Sequence, residues 1–305
     1  MKYINFGSTD LKIPVIGLGC MRITELDAND LPRYIEHCLK QGINFFDHAD
    51  IYGGGECEKR FGEAIRSLGV PRENIILQSK CGIIPQQAYN LSYDYIINAV
   101  DGILKRLGTE YLDILLLHRP DALVEPDEVA KAFDELERSG KVRYFGVSNH
   151  RPSQIALLQK YVKQGIQANQ IQFSIPFSNT IATGLEANMM TEGAVDRSGD
   201  VLDYCRLNDI TVQAWSPFQS VNGSFVDNNE RYPDLNWALG EIGAKYDVSK
   251  TTVAAAWILR HPAKIQTIAG TMNFSRIEEI AKATDIVLTR DEWYRLYLAA
   301  GHILP

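Results

Sequence analysis

One stretch decides the fold of this chain: Asp47-His48-Ala49-Asp50-Ile51-Tyr52-Gly53, which follows an apolar run at residues 43–46 and leads into two further glycines. A strand that ends in a polar, glycine-rich turn is typical of the edge where a barrel or an open sheet carries its chemistry. Asp47 stands at the end of this predicted strand, and Tyr52 lies in the loop beyond it. The ordinary pKa of a phenol is about 10, so tyrosine is a good proton donor at neutral pH only with help from a cation.

The next two predicted strands end in a lysine and a histidine. Residues 75–80 form a predicted strand that ends at Lys80, and the predicted strand at residues 112–117 is followed by His118. Parallel strands point their carboxyl ends to the same edge of a barrel, so these side chains are expected to meet the acid and the phenol there. We therefore predict one catalytic group, made of Asp47, Tyr52, Lys80 and His118.

The composition is that of an ordinary globular protein: 305 residues, 45% hydrophobic and 23% charged. A formal net charge of −7 argues against a nucleic-acid surface or an anionic membrane as partner. No apolar run approaches the about 20 residues that cross a bilayer, and the first residues lack the apolar segment of a signal peptide. The five cysteines include no Cys-x-x-Cys pair, which favours reduced thiols and a cytoplasmic location.

Predicted strands and helices alternate along the whole chain. The core strands begin at Ile16, Ile43, Ile75, Leu112, Val142, Gln167, Ile210 and Ile265. This alternation over this length predicts an α/β fold, a (β/α)8 TIM barrel, as a single domain spanning residues 1–305. An open doubly wound sheet is disfavoured because no Gly-x-Gly-x-x-Gly opens a helix after a strand.

Two segments outside this alternation carry predictions of their own. Residues 2–7 and 11–17 are short extended runs separated by a polar turn, which predicts an N-terminal β-hairpin that plugs the lower end of the barrel. Residues 218–236 contain Asn222-Gly223, a run of Asp and Asn, and Pro233, without clear periodicity. Loops of this length in compact domains are usually lids or binding segments, so we expect it on the same rim as the polar cluster.

Polar and aromatic residues also stand at the ends of the fourth to seventh predicted strands: Arg119, Ser148, Asn149, Gln170, Trp215, Ser216 and Pro217. Amides and hydroxyls in such positions can hydrogen-bond a planar carboxamide, and Trp215 can stack on its ring. The eighth strand is followed by Gly270-Thr271-Met272-Asn273 and a helix that carries Arg276. A helix start beside an arginine is suited to bind phosphate.

The pattern Asp47-x-Ala49-x-x-Tyr52-Gly53 recurs with Lys80, Leu117-His118-Arg119, Gly146-Val147-Ser148-Asn149, Gln170 and residues 270–276 in one family. In these residues the chain resembles the aldo-keto reductases, and the resemblance covers nearly all of it. It looks like the bacterial branch that acts on small carbonyls and has a short C-terminal tail. Since the chain stops at Pro305, we expect no long loop after the last helix.

The resemblance implies an NAD(P)H-dependent oxidoreductase that reduces aldehydes or ketones to alcohols. Tyr52 would donate the proton while hydride arrives from NADPH, and Lys80, held by Asp47, would lower the pKa of the phenol. His118 would orient and polarise the carbonyl of a small-molecule substrate, whose pocket includes Arg119 and Trp215. The implied cofactor contacts are Gly19, Met21, Arg22, Ser148, Asn149, Gln170, Trp215, Ser216, Pro217, Phe218, Gly270, Thr271, Asn273, Arg276 and Glu279.

Three positions depart from the family pattern. His48 stands where many relatives have threonine, and its side chain would face either the pocket or the wall. Gly270 replaces a lysine found in relatives with strong NADPH preference, and Ile280 replaces an asparagine that contacts adenine. Because Arg276 can pair with a 2′-phosphate, we expect NADPH as cofactor, with NADH as the alternative.

Two other function classes stay open at this stage. A metal-dependent barrel hydrolase would use Asp47, His48, Asp50 and His118, but no His-x-His or His-Glu-x-x-His pair occurs, so no metal site is expected. A cofactor-binding regulatory subunit, like the potassium-channel β-subunits, would keep the barrel without steady turnover. We expect no nucleic-acid or membrane partner, and a monomer or weak homo-oligomer.

Overall fold

Eight parallel strands form a closed barrel at the centre of the fold. The structure is a computed structural model that describes residues 1–221 and 223–304. The strands are β1 (Ile16–Gly19), β2 (Phe45–Asp47), β3 (Ile76–Cys81), β4 (Leu112–Leu117), β5 (Val142–Ser148), β6 (Ala168–Gln172), β7 (Thr211–Trp215) and β8 (Gln266–Ala269). They pair in chain order, and β8 pairs with β1 to close the ring. The predicted (β/α)8 barrel is confirmed.

Helices surround the barrel, and their apolar faces pack on the outward-facing strand residues. They are α1 (Asp30–Lys40), α2 (Glu56–Leu68), α3 (Tyr93–Leu107), α4 (Pro126–Arg138), α5 (Pro152–Gln159), α6 (Asn179–Leu185), α7 (Val201–Leu207), α8 (Pro233–Tyr246), α9 (Lys250–Leu259), α10 (Phe274–Lys282) and α11 (Arg290–Ala299). Phe133 of α4 stacks on Phe145 of β5, for example, with ring centroids 4.0 Å apart. Among the described residues, no helix has both the length and the apolar character needed to cross a lipid bilayer.

The N-terminal hairpin closes the lower end of the barrel, as predicted. Its strands Tyr3–Asn5 and Lys12–Pro14 pair antiparallel, with Ile4 opposite Ile13. Ile13 and the neighbouring Phe6 are fully buried. They pack on apolar side chains inside the barrel: Phe45, Ile76, Ile114, Leu116, Ala168 and Ile268.

The long connection after β7 is shorter and more ordered than the sequence suggests. A small hairpin pairs Gln219–Ser220 with Gly223–Ser224, while Asn222 lies outside the described residues. Helix α8 begins at Pro233, so residues 233–236 are helical and the predicted loop boundary at 236 is wrong. Proline is well suited to the first turn of a helix, where its missing N–H costs nothing. The buried Asn236 then accepts a hydrogen bond from the backbone of Asp227 at 2.7 Å, which ties the loop to the helix.

The hairpin contributes to stability through the side chain of Phe6. We expect Phe6→Ala to lower the free energy of unfolding by about 3–5 kcal/mol, because it leaves a cavity in a packed interior. Tyr3→Ala is the matched control on the same hairpin, since Tyr3 is 51% exposed. Urea unfolding, monitored by circular dichroism, measures both variants. Equal losses in the free energy of unfolding would show that the buried side chain of Phe6 contributes no more to stability than the exposed Tyr3.

Candidate active site

A buried ion pair joins the ends of β2 and β3. Lys80 Nζ lies 2.7 Å from Oδ1 and 2.8 Å from Oδ2 of Asp47, and it donates a third hydrogen bond to the carbonyl of His48 at 2.8 Å. Lys80 is fully buried and Asp47 is 2% exposed. Burial lowers the pKa of Lys80, but Asp47 and Tyr52 raise it by more, so its pKa lies above the ordinary value. The amine is therefore a charged ammonium group at neutral pH.

The hydroxyl of Tyr52 lies beside this ammonium group. Lys80 Nζ approaches the phenol oxygen to 3.3 Å. The turn that places Tyr52 continues through Gly53, Gly54 and Gly55, whose φ angles of 57°, 63° and 92° fall in the left-handed region that favours glycine. The glycine run is therefore required by the backbone path that holds the phenol at the rim.

The pKa of Tyr52 differs from the sequence-based expectation. Burial raises it, and the opposing effect of Lys80 is smaller, so the pKa of Tyr52 lies above its ordinary value. Lys80 does act in the expected direction and lowers the pKa of Tyr52, but the sequence argument left out burial, whose opposing effect is larger. Tyr52 is thus a neutral hydroxyl at neutral pH, which is the form that can donate a proton.

His118 faces Tyr52 across the site, with ring centroids 6.1 Å apart. Burial, followed by the positive charges of Lys80 and Arg119, lowers the pKa of His118 to about 3. Its imidazole is therefore neutral at physiological pH. The Nδ1 atom is buried and has no hydrogen-bond partner among the described residues, so a proton on Nε2 would make the ring a neutral donor.

A layer of buried glutamines supports the ion pair from below. Gln78 and Gln170 donate from Nε2 to Asp47 Oδ1, at 2.6 and 3.2 Å. Both also donate to Gln213 Oε1, at 3.0 and 3.1 Å. Gln213 donates to Gln266 at 2.8 Å, and Gln266 donates to the carbonyl of Pro14 in the hairpin, also at 2.8 Å. A continuous chain of amides thus connects the carboxylate to the plug at the other end of the barrel.

The sequence analysis missed this layer. Gln78, Gln213 and Gln266 all lie inside buried strands, and each is 0% exposed. Uncharged polar residues within apolar strand runs were the available signal, since buried amides must find partners.

A cavity of about 820 Å³ opens at the carboxyl ends of the strands. Of the four predicted catalytic residues, Asp47, Tyr52 and His118 line it, and Lys80 lies buried behind them. Predicted cofactor and substrate residues that also line it are Gly19, Met21, Arg22, Arg119, Ser148, Asn149, Gln170, Trp215, Ser216, Pro217, Phe218, Gly270, Thr271, Asn273 and Arg276. Lining residues that the sequence analysis did not single out include Glu25, Ile51, Ile83, Gln219, Ser224, Ile268 and Met272.

One side of the cavity carries a set of connected polar groups. Trp215 Nε1 donates to Asn149 Oδ1 at 3.0 Å, and Asn149 Nδ2 donates to Ser148 Oγ at 2.8 Å. The hydroxyl of Ser148 in turn donates to the carbonyl of Gln170 at 2.9 Å. These contacts fix the side chains before any ligand arrives. Because Gln170 uses Nε2 on Asp47 and Gln213, its Oε1 is left as the acceptor.

At the other end of the cavity, Arg22 spans to the loop after β8. Its Nε and Nη2 atoms donate to the carbonyl of Gly270 at 2.9 and 2.5 Å. A Cβ atom at position 270 would come within 3.1 Å of Arg22 Nη2. A side chain at position 270 would therefore need the guanidinium group of Arg22 to shift by a few tenths of an ångström.

A smaller cavity of about 280 Å³ adjoins this end, and Asn273 and Arg276 line both. Glu279, the one predicted cofactor contact absent from the main cavity lining, lines this smaller one. Lys250 is a further cation here, and its Nζ pairs with Asp227 at 3.0 Å. Ile280 is fully buried in the core and does not take part.

His48 faces the barrel wall. It is fully buried against the ring of Phe61 in α2, with centroids 4.6 Å apart, and neither ring nitrogen has a hydrogen-bond partner among the described residues. The four residues considered for a metal-dependent hydrolase therefore do not converge, because His48 points away and Asp47 is held by Lys80. Within the described parts of the chain, no group of three or more His, Cys, Asp or Glu side chains is placed to hold a metal ion.

The family model for the Aldo/keto reductase family matches residues 15–297. This chain is an aldo-keto reductase. The match spans every barrel strand and the loops that carry Asp47, Tyr52, Lys80 and His118. As a member of this family, it is an NAD(P)H-dependent oxidoreductase.

Similar proteins support this assignment along the full length. This aldo-keto reductase is 38% identical over 312 residues to the uncharacterised oxidoreductase YcsN of Bacillus subtilis, with 97% of each chain covered. It is 35% identical to a 6-dehydroglucose reductase of Agrobacterium fabrum, with 96% of each chain covered. The crystal structure of the thermostable aldo-keto reductase Tm1743 superposes with a TM-score of 0.79 at 26% identity, covering 98% of this chain and 100% of that one.

The burial of His48 in this aldo-keto reductase predicts how the stability of the fold changes at acidic pH. Burial, followed by Lys80, lowers the pKa of His48 to about 3, so the unfolded chain binds the proton more readily. Stability is thus present above the ordinary pKa of about 6.5 and is lost as the pH falls below it. We expect His48→Leu to remove this dependence. Relative to the wild type, the variant should gain about 2 kcal/mol between about pH 7 and about pH 5.

Urea titrations at the two pH values measure this difference. Each protein serves as its own reference at neutral pH, so any packing change caused by leucine cancels. Parallel pH profiles for the two proteins would mean that His48 binds its proton as readily in the folded as in the unfolded chain, so that its pKa is not lowered by burial.

Proposed function

We propose that this enzyme reduces the carbonyl of a small polar aldehyde or ketone with NADPH, and that Tyr52 donates the proton. The observation that carries the proposal is the placement of the Tyr52 hydroxyl, 3.3 Å from a buried ammonium group and on the cavity wall with His118. A neutral phenol, a neutral imidazole and a fixed cation suit a reaction that turns a carbonyl oxygen into an alkoxide.

Each residue of the site has a role in the proposed reaction that follows from its charge. When bound, the nicotinamide cofactor supplies hydride to the carbonyl carbon. As negative charge grows on the carbonyl oxygen, Tyr52 transfers its proton there, and Lys80 stabilises the phenolate that remains. His118 donates a hydrogen bond to the same oxygen and orients it. Asp47 keeps Lys80 charged and in place, so it acts through the lysine.

The connected polar groups on one wall would hold the nicotinamide carboxamide. Ser148 and Asn149 offer a hydroxyl and an amide, and Gln170 offers Oε1 as an acceptor for the carboxamide NH2. Trp215 is held by its hydrogen bond to Asn149, which supports a role in positioning the ring. Because these side chains are already fixed by each other, little conformational entropy is lost when the cofactor binds.

The far end of the cleft supports NADPH over NADH. Arg276 is exposed and has no side-chain partner among the described residues, and Lys250 adds a second cation to the adjoining cavity. Together they would bind the 2′-phosphate. The lysine absent at position 270 would thus be replaced by Lys250, while Arg22 would hold the part of the cofactor that crosses Gly270.

The substrate proposal stays broad. The cavity lining combines polar residues with many apolar and aromatic ones: Met21, Ile51, Ile83, Trp215, Pro217, Phe218, Ile268 and Met272. Similarity to a 6-dehydroglucose reductase supports a hydroxylated aldehyde as one candidate. The cytoplasmic location, the single-domain organisation and the monomeric or weakly associated state stay predictions.

The central test is Tyr52→Phe. We expect this variant to lose turnover by about 10²–10⁴-fold, the usual contribution of a positioned proton donor. NADPH binding, followed by fluorescence titration, should be retained. Tyr95→Phe is the matched control, because the Tyr95 hydroxyl donates to the carbonyl of Ile83 and does not line the cavity.

Steady-state oxidation of NADPH with a panel of aldehydes and ketones is the readout. Sustained turnover separates an enzyme from a regulatory subunit that binds cofactor and reacts once. Full activity in Tyr52→Phe would identify a different proton donor.

The cofactor preference is tested by Arg276→Leu and Lys250→Met. We expect each to raise the Kd of NADPH by about 10- to 100-fold, because each removes a charged hydrogen-bond partner of the phosphate. The Kd of NADH should stay within about threefold, since that cofactor lacks the phosphate. Lys282→Met, at the opposite end of α10, is the control. Isothermal titration calorimetry measures all of them, and equal losses for NADPH and NADH would contradict a role in phosphate recognition.

A further inference from the structure

Arg119 is a cation without a partner in the reaction end of the cleft. It directly follows His118 at the end of β4, it is half-buried, and it lines the main cavity. No described residue accepts a hydrogen bond or an ion pair from its guanidinium group. Other half-buried arginines are paired: Arg72 lies 2.7 Å from Asp113, and Arg106 lies 2.7 Å from Glu58.

The other charges of the cavity do not compensate Arg119. Glu25 and Asp47 are the carboxylates of its lining; neither forms an ion pair with Arg119, and Asp47 is paired with Lys80. The remaining lining arginines, Arg22 and Arg276, stand at the end that adjoins Gly270. Arg119, in contrast, directly follows His118, so its charge lies at the end of the cavity that we propose for the substrate.

The position of Arg119 is close to the reacting group. It is adjacent in the chain to His118, which points at the carbonyl oxygen in the proposed reaction. Its charge also acts on His118: burial first, then Lys80, and then Arg119 lower the pKa of this imidazole. An anion paired with Arg119 would therefore share this cavity with the carbonyl that His118 and Tyr52 meet.

We propose that Arg119 binds an oxyanion of the substrate, so that the preferred substrates are carbonyl compounds with a carboxylate or a phosphate near the carbonyl. This rests on the proposed reductase function. A guanidinium group presents a fork of donors that matches both oxyanions, and pairing it relieves the cost of a half-buried charge without a partner. Arg119 would then select the substrate and orient its carbonyl toward Tyr52.

The test compares charged aldehydes with neutral counterparts that lack the anionic group. One pair is succinic semialdehyde and its methyl ester, and the other is glyceraldehyde 3-phosphate and glyceraldehyde. With NADPH held saturating, we expect the wild type to show a kcat/KM about 10- to 100-fold higher for the charged member of at least one pair. The pair that shows it tells whether a carboxylate or a phosphate is preferred.

Variants at Arg119 separate recognition from structure. We expect Arg119→Met to remove the preference, lowering kcat/KM for the charged member while changing the neutral member far less. Arg119→Lys should keep part of it, because an ammonium group binds the anion as a point charge. Arg138→Met is the charge-matched control, since Arg138 is exposed at the end of α4 and contacts the carbonyl of Asp134.

The outcomes are distinct. Equal kcat/KM for charged and neutral members in the wild type would overturn the role of Arg119 and leave the reductase function intact. An equal loss for both members in Arg119→Met would also overturn it, because that pattern reflects structural damage. If none of the four aldehydes or a wider carbonyl panel supports NADPH oxidation, the proposed function fails, and this inference fails with it.

Discussion

The pairing of Asp47 with Lys80 is the interaction on which the rest of the site depends. A buried ammonium group is stable only when its charge and all its protons are satisfied, and here two carboxylate oxygens and a backbone carbonyl do so. Removing one partner of such a pair typically costs about 3–5 kcal/mol, since the other charge is left buried alone. The barrel can afford this pair because adjacent strands deliver its halves to one edge.

Among the described residues, the charges of the cleft are paired near the barrel axis and unpaired further out. At the axis, Lys80 is matched by Asp47, so the site adds little net charge before a substrate binds. Burial keeps Tyr52 protonated and His118 neutral. The catalytic groups are therefore poised to respond to charge that develops during the reaction, while Arg22, Arg119 and Arg276 at the rim carry the charge that meets ligands.

The sequence predicted the barrel and the meeting of its strand ends because apolar runs and the residues that follow them obey simple geometry. It could not predict the pKa of Tyr52, which depends on how completely neighbouring elements exclude water. It left the direction of His48 open, because a three-residue strand end does not decide which side chain faces the axis. Helix α6 was missed since its seven residues, Asn179–Leu185, are too few to show a clear period.

The structure of the long loop after β7 was also not predictable from the sequence. Its composition is typical of an irregular segment, yet a hydrogen bond from the backbone of Asp227 to the side chain of Asn236, nine residues further along, ties it to α8. A hydrogen bond between a side chain and the backbone leaves no periodic pattern in the sequence. The same holds for the amide layer under Asp47, whose members come from four different strands.

The glutamine amides of that layer can take only one orientation. Both of its ends, the carboxylate of Asp47 and the carbonyl of Pro14, can only accept hydrogen bonds, so the nitrogen atoms of Gln78, Gln170 and Gln266 must point toward them. The amide of Gln213 lies between them: its oxygen accepts a hydrogen bond from Gln170, and its nitrogen donates one to Gln266. Rotating any of these amides by half a turn would set oxygen against oxygen. The carboxylate at the reacting centre and the carbonyl in the N-terminal plug thus fix the orientation of every amide between them.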